Sequence, residues 1–136
     1  MKFLEKAEWE VYGVELDERA PNLYGLPIFY GRLSQAGFPN DCFDVVTLWG
    51  VIEHIYELNE LMEELHRVIT PGGDLIILTT NYHSPATGLL KLDDVPRHVL
   101  MFTKRTIRAL LEKHGFQVRK IYCSDKIFKA STCGLL

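Results

Sequence analysis

The forty residues from Cys42 to Asn81, CFDVVTLWGVIEHIYELNELMEELHRVITPGGDLIILTTN, constrain this chain more than any other stretch. Asp44 to Trp49 (DVVTLW) and Leu75 to Thr80 (LIILTT) are short runs of apolar and β-branched residues without the strict alternation of a half-wet strand. That pattern predicts parallel strands covered on both faces. Between them Ile55, Leu58, Leu61, Met62, Leu65, Val68 and Ile69 recur at helical spacing, with Glu57, Glu60, Glu63, Glu64 and Arg67 on the other side. Strand, crossover helix and parallel strand make a right-handed βαβ unit, with Pro71-Gly72-Gly73 as the turn between helix and second strand. Ligands of such sheets sit beyond the carboxyl ends of the strands. A site is therefore expected around Gly50 to His54 and at Asn81 and Tyr82.

At 136 residues the chain is read as one domain, 1–136, large enough to bury a sizeable core. A net charge of −3 supplies no basic field to hold a phosphate backbone. The densest basic group, Lys104, Arg105, Arg108 and Lys113, lies on one expected helix and is more simply a solvated face, so no nucleic-acid partner is expected. No apolar run approaches the ~20 residues that span a bilayer, and MKFLEKAEWE is too charged for a signal peptide. The expectation is a cytoplasmic protein with no membrane partner. Cys42, Cys123 and Cys133 are too widely spaced for a local metal or redox pair. They read as reduced thiols, with Cys42 and Cys123 near the core.

Elsewhere the pattern predicts a short helix over Phe3 to Trp9, a strand over Val11 to Leu16 (VYGVEL), a brief strand at Ile28 to Tyr30 (IFY), and a loop over Leu33 to Asp41. Gly13 would allow a neighbouring backbone close. Tyr82 to Arg97 has no clean period and reads as a lid, a substrate loop or a plain surface excursion. Thr103 caps a helix from Lys104 to His114, Gly115 takes the left-handed position after it, and Phe116 makes the following apolar contact. Gln117 to Cys123 alternates as a strand near a sheet edge, and Lys126 to Leu136 is ambiguous.

Four segments in order, VYGVELD, FDVVTLWGVIEHI, HRVITPGGDLIILTTN and HVLMFTKRTIRALLEKHGF, resemble the class I S-adenosylmethionine-dependent methyltransferases that act on small molecules. The resemblance covers the chain to about Cys123. It implies an α/β, Rossmann-like, mostly parallel sheet flanked by helices. It also implies S-adenosylmethionine as cofactor and a small-molecule methyl acceptor as partner.

The same resemblance gives residues roles. Glu15 falls where the family places an acid that accepts from both ribose hydroxyls, a task suited to an acceptor-only carboxylate. Leu16 would pack on the adenine. Arg32 stands where the family often has an acid facing the adenine amino group, so the backbone of Arg32 and Leu33 would serve instead. Trp49, Gly50 and Val51 end the strand whose backbone meets the methionine part. His54 suits a general base on a substrate hydroxyl, because its unperturbed pKa of about 6.5 is close to working pH. It could equally cap the next helix or pack on the cofactor. His98 is a second candidate for the catalytic role. Asp93 and Asp94, adjacent carboxylates without a histidine partner, read as solvated, and no metal site is expected.

The chain departs from the family at its start, where no glycine-rich E/D-x-G-x-G-x-G turn occurs. The family's first strand, which lies between those matched by VYGVELD and FDVVTLW, is absent, and the sheet is expected to be incomplete. Its loss would leave a gap of about 10 Å, since strands lie ~4.8 Å apart, with two open edges. Either Val11 to Leu16 pairs directly with Asp44 to Trp49, or a strand from a second copy or the C-terminal tail fills the gap, or the chain is a fragment. Each alternative implies weak or absent S-adenosylmethionine binding by the isolated chain. Two functional expectations follow: methyl transfer to a small molecule, impaired in this chain, or a non-catalytic relative or fragment serving as an interaction subunit, with homo-oligomers formed through the sheet edges.

Overall fold

The computed structural model describes residues 9–23, 25–82 and 98–123. Outside them lie most of the helix expected at Phe3 to Trp9, the loop after Tyr82 with Asp93 and Asp94, and the C-terminal tail with Cys133. The described elements are β1 (Gly13–Glu15), β2 (Ile28–Tyr30), β3 (Phe43–Trp49), α1 (Leu58–Val68), β4 (Ile69–Leu78) and α2 (Lys104–Lys113), with 3-10 turns at Leu33–Gln35 and Ile52–His54.

The βαβ unit forms as its periodicity dictates. β3 and β4 run parallel, with Val45 opposite Asp74 and Trp49 opposite Leu78. Met62, Leu65 and Val68 of α1 are wholly buried, packed with Val46, Leu48, Leu75 and Ile77. The turn expected at Pro71-Gly72-Gly73 is instead an irregularity inside β4. Ile69 already pairs with Phe43, and the next pair is Val45 with Asp74, so Thr70 to Gly73 bulge out opposite Asp44. Gly73 makes that fit: a Cβ there would stand 2.8 Å from the Asp44 carbonyl oxygen and 2.8 Å from Ile69 Cγ2.

One expectation is corrected here. Among the described residues, β3 and β4 are covered by helices on one face, not both. α1 and α2 contribute to the same apolar cluster, and on the far face Trp49 is 63% exposed and Ile76 46% exposed. The apolar runs therefore over-reported burial. Cys42 and Cys123 are likewise exposed rather than near the core. The Cys42 N–H donates to the Val68 carbonyl at 2.9 Å, which fixes its backbone while its thiol faces outward.

β1 and β2 form a second parallel pair, Gly13 opposite Ile28 and Glu15 opposite Tyr30. A Cβ on Gly13 would lie 3.1 Å from Ile28 Cγ1, so the close approach expected of this glycine is present. The two pairs are separate sheets: among the described residues β1 does not pair with β3. Direct pairing, the first of the three alternatives, is thus not adopted. Tyr12, Phe38 and Phe43 stand edge to face at the amino ends, with centroids 5.9, 6.0 and 4.8 Å apart.

At the C-terminal side, Thr103 Oγ1 accepts the Thr106 N–H at 3.1 Å, capping α2. Gly115 has φ 85°, and the Phe116 N–H closes the helix end on Leu111. The strand expected over Gln117 to Cys123 does not form. A cleft of about 1110 Å³ lined by Leu78, Val118 and Ile121 separates that segment from β4, and an Arg119–Asp74 ion pair spans it. Among the described residues no helix is long and apolar enough to cross a membrane.

Candidate functional site

The gap between the two sheets is a cleft of about 910 Å³. Leu16, Arg32 and Leu33 line one wall, and Trp49, Val51 and His54 the other. These residues stand at or just after the carboxyl ends of β1, β2 and β3, where parallel sheets place their ligands.

Glu15 ends β1. Its Oε1 accepts the Asp17 N–H at 3.0 Å, while its carbonyl accepts the Gly31 N–H at 2.8 Å. One carboxylate oxygen is thereby held by the following turn, and the other is left to accept. Asp17 is occupied by Arg19, whose side-chain and backbone hydrogen bonds hold its carboxyl below the usual range. Leu16, next along, is 57% exposed, an unusual placement for leucine that leaves an apolar surface facing the cleft.

Arg32 departs from the acid its position would suggest, and its guanidinium is committed elsewhere. It pairs with Glu57 at 3.3 Å and Glu60 at 3.7 Å, at and near the start of α1. Ser34 adds a second link to Glu60 at 3.1 Å. The backbone of Arg32 is extended, and its N–H donates to Gln35 Oε1 at 3.0 Å. Leu33 opens the 3-10 turn and packs against the core cluster.

On the opposite wall, the Gly50 N–H donates to the Leu78 carbonyl at 2.9 Å, prolonging the β3–β4 pairing by one residue. Gly50 has φ 65°, a conformation that side-chain-bearing residues rarely take, so the chain can turn sharply into the 3-10 segment beginning after Val51. Ile52 is wholly buried there and anchors the turn, leaving Val51 and His54 on the cleft side.

Sequence reasoning placed His54 and His98 separately. The fold brings them together, with ring centroids 4.8 Å apart. It also draws in Glu53, which is 3% exposed, as the third member. Glu53 Oε2 accepts from Thr79 Oγ1 at 3.0 Å, and its carbonyl accepts the N–H groups of Val99 and Leu100 at 2.9 and 3.1 Å. One residue thus ties the end of β3 to the segment carrying His98. The signal that could have found it was a carboxylate set among apolar residues just beyond a strand's end. Asn81 bridges to Phe102 and the Tyr82 N–H donates to the Phe102 carbonyl, joining the end of β4 to the start of α2.

Chemically, the cleft offers apolar surface from Leu16 and Leu33 on one wall and the His54 imidazole on the other; Glu15 at the end of β1 and His98 beside His54 are not among its lining residues. That suits a ligand with a flat apolar part and a proton to give up.

The comparisons with known proteins agree with this geometry. Residues 1–121 match the model of a family described as a methyltransferase domain. A probable S-adenosylmethionine-dependent methyltransferase of Mycolicibacterium smegmatis is 31% identical over 94 residues, covering 67% of this chain and 35% of that protein. A demethylmenaquinone methyltransferase of Geobacillus stearothermophilus is 29% identical over 84 residues, covering 54% of this chain and 36% of the other. The matched stretches therefore span about a third of these curated relatives. Among solved structures, a SAM-dependent methyltransferase from Archaeoglobus fulgidus superposes with a TM-score of 0.73 at 17% identity, covering 96% of this chain and 69% of that one. S-adenosylmethionine is the cofactor these names carry. With a family match over nearly all its length and a fold to go with it, the chain belongs to the methyltransferase-domain family, of Rossmann-like α/β architecture with a small, incomplete sheet.

Proposed function

We propose that this chain serves S-adenosylmethionine-dependent methyl transfer to a small-molecule acceptor, and that its cleft takes the cofactor. The observation that carries the reading is the cleft itself. Glu15, Leu16, Arg32 and Leu33 stand at the ends of one parallel strand pair and Trp49, Gly50, Val51 and His54 at the end of the other. Glu15 would accept from the ribose hydroxyls, and Leu16 and Leu33 would cover the adenine beside the backbone of Arg32. The turn at Trp49 to Val51 would face the methionine part. His54, with His98 beside it, would take a proton from the acceptor. Alignment of acceptor and methyl group would supply most of the rate.

The residues named for the nucleoside half are Glu15, Leu16, Arg32 and Leu33. The nucleoside half has about 18 non-hydrogen atoms. At ~0.3 kcal/mol per atom, it supports a dissociation constant on the order of 0.1 mM. Calorimetric titration of a Glu15→Ala variant tests the assignment. Loss of measurable heat is expected, whereas unchanged affinity would place the cofactor elsewhere.

A second reading is favoured by one observation, two strand pairs that do not join among the described residues. Open parallel edges can accept a strand from another chain, which would suit an interaction subunit or homo-oligomer. Sedimentation velocity across a concentration series decides it. Mass rising with concentration supports edge pairing, and a strict monomer removes it.

A further inference from the structure

We infer that Glu53, His54 and His98 form a binding site for a divalent first-row transition-metal ion of the zinc class, at the carboxyl end of β3. Each residue offers one ligand atom, and the three atoms lie within 4.8 Å of one another. Two ligands on one such ion stand ~3.0–3.5 Å apart, so small side-chain rotations would close the set.

Three features make this more than a chance cluster. The first is charge. Glu53 is 3% exposed, and among the described residues no lysine or arginine pairs with it. A buried carboxylate needs a positive or proton-donating partner, and the groups facing it are two imidazoles and the Thr79 hydroxyl.

The second is support around the ligands. Thr79 fixes one carboxylate oxygen at 3.0 Å, and the Glu53 carbonyl holds Val99 and Leu100, the two residues that follow His98. The residue that would ligate thus also positions the backbone of its co-ligand, the kind of outer hydrogen bonding that orients metal ligands.

The third is chemistry. Two imidazoles and one carboxylate suit zinc, iron, cobalt or nickel dications, and disfavour magnesium and calcium, which prefer oxygen ligands. Three protein ligands leave a coordination position open. Because His54 lines the cleft, that position would face whatever the cleft holds. An ion there would polarise an acceptor oxygen in place of proton removal by His54; this last step rests on the methyl transfer proposed above, while the site itself does not.

The test is titration of the full chain with Zn2+ by calorimetry and with Co2+ by visible absorption. One equivalent is expected, with cobalt d–d bands and no thiolate charge-transfer band. His98→Ala and His54→Ala should each weaken binding at least tenfold, with Mg2+ failing to compete at equal concentration. Glu53→Gln should do the same, but its buried position can unfold the chain, so the half-buried His98 is the deciding variant, with folding checked by circular dichroism. Unchanged affinity in a folded His98→Ala variant would overturn the proposal, as would a thiolate band or no binding at all. Titration of His98→Ala with S-adenosylmethionine separates this from the cofactor reading, because His98 is not among the residues lining the cleft. Its cofactor affinity should be unchanged, and loss of cofactor binding without loss of metal would assign His98 to the cofactor instead.

Discussion

Arg67 does more for the fold than a surface charge usually does. Its Nη1 donates to the Phe38 carbonyl at 2.7 Å and to Asn40 at 2.9 Å, fastening the loop before β3 to α1. Its Nη2 and Nε engage Glu64, the nearer contact at 2.7 Å. Those hydrogen bonds hold the Glu64 carboxyl below the usual carboxylate range. A depressed carboxyl stabilises the fold above its unfolded value, about 4.5, and that contribution fades as pH falls through the folded value. Urea midpoints of wild type and Glu64→Gln should therefore differ at pH 7 and converge toward pH 3; a constant difference would refute the pairing. Thr103→Ala removes the cap of α2 and should cost about 1 kcal/mol, read as a lower urea midpoint with unchanged slope. Thr103 and Gly115 were legible in the sequence because capping chemistry is local. Glu53 was marked only as part of the turn from Gly50 to His54; its burial was not legible, because it depends on Thr79, Val99 and Leu100, which are distant along the chain.

Among the elements, α1 carries the core. Leu65 is wholly buried beside Met62 and Val68, and Leu65→Ala should destabilise by about 2–5 kcal/mol, with a smaller loss at half-buried Leu61. Gly73 sets the bulge, since a methyl group there would meet the Asp44 carbonyl oxygen and Ile69. Gly73→Ala should lower the thermal midpoint, while the exposed neighbouring substitution Pro71→Ala should change it less. Period and turn residues gave β3, α1 and α2 to within a few positions. They failed for Gln117 to Cys123, where alternation marks two faces but does not supply a partner backbone; β4 stands across a cleft. They also over-read the coverage of β3 and β4, because β-branched runs report strand preference as well as burial, and Ile76 and Trp49 remain exposed.

For the whole molecule, the order of the matched segments was readable, but the separation of the two strand pairs among the described residues was not. The rings of Tyr12, Phe38 and Phe43 join the two strand pairs at their amino ends. The cleft opens between the pairs, with Leu16, Arg32 and Leu33 on one wall and Trp49 and Val51 on the other. That arrangement makes the proposed cofactor site the central claim, with Glu15 holding the nucleoside half. Calorimetric titration of the 136-residue chain with S-adenosylmethionine, beside Glu15→Ala, tests it most directly. The account predicts saturable binding with a dissociation constant on the order of 0.1 mM, lost in the variant. Low-micromolar binding, or an affinity that Glu15→Ala leaves unchanged, would contradict it.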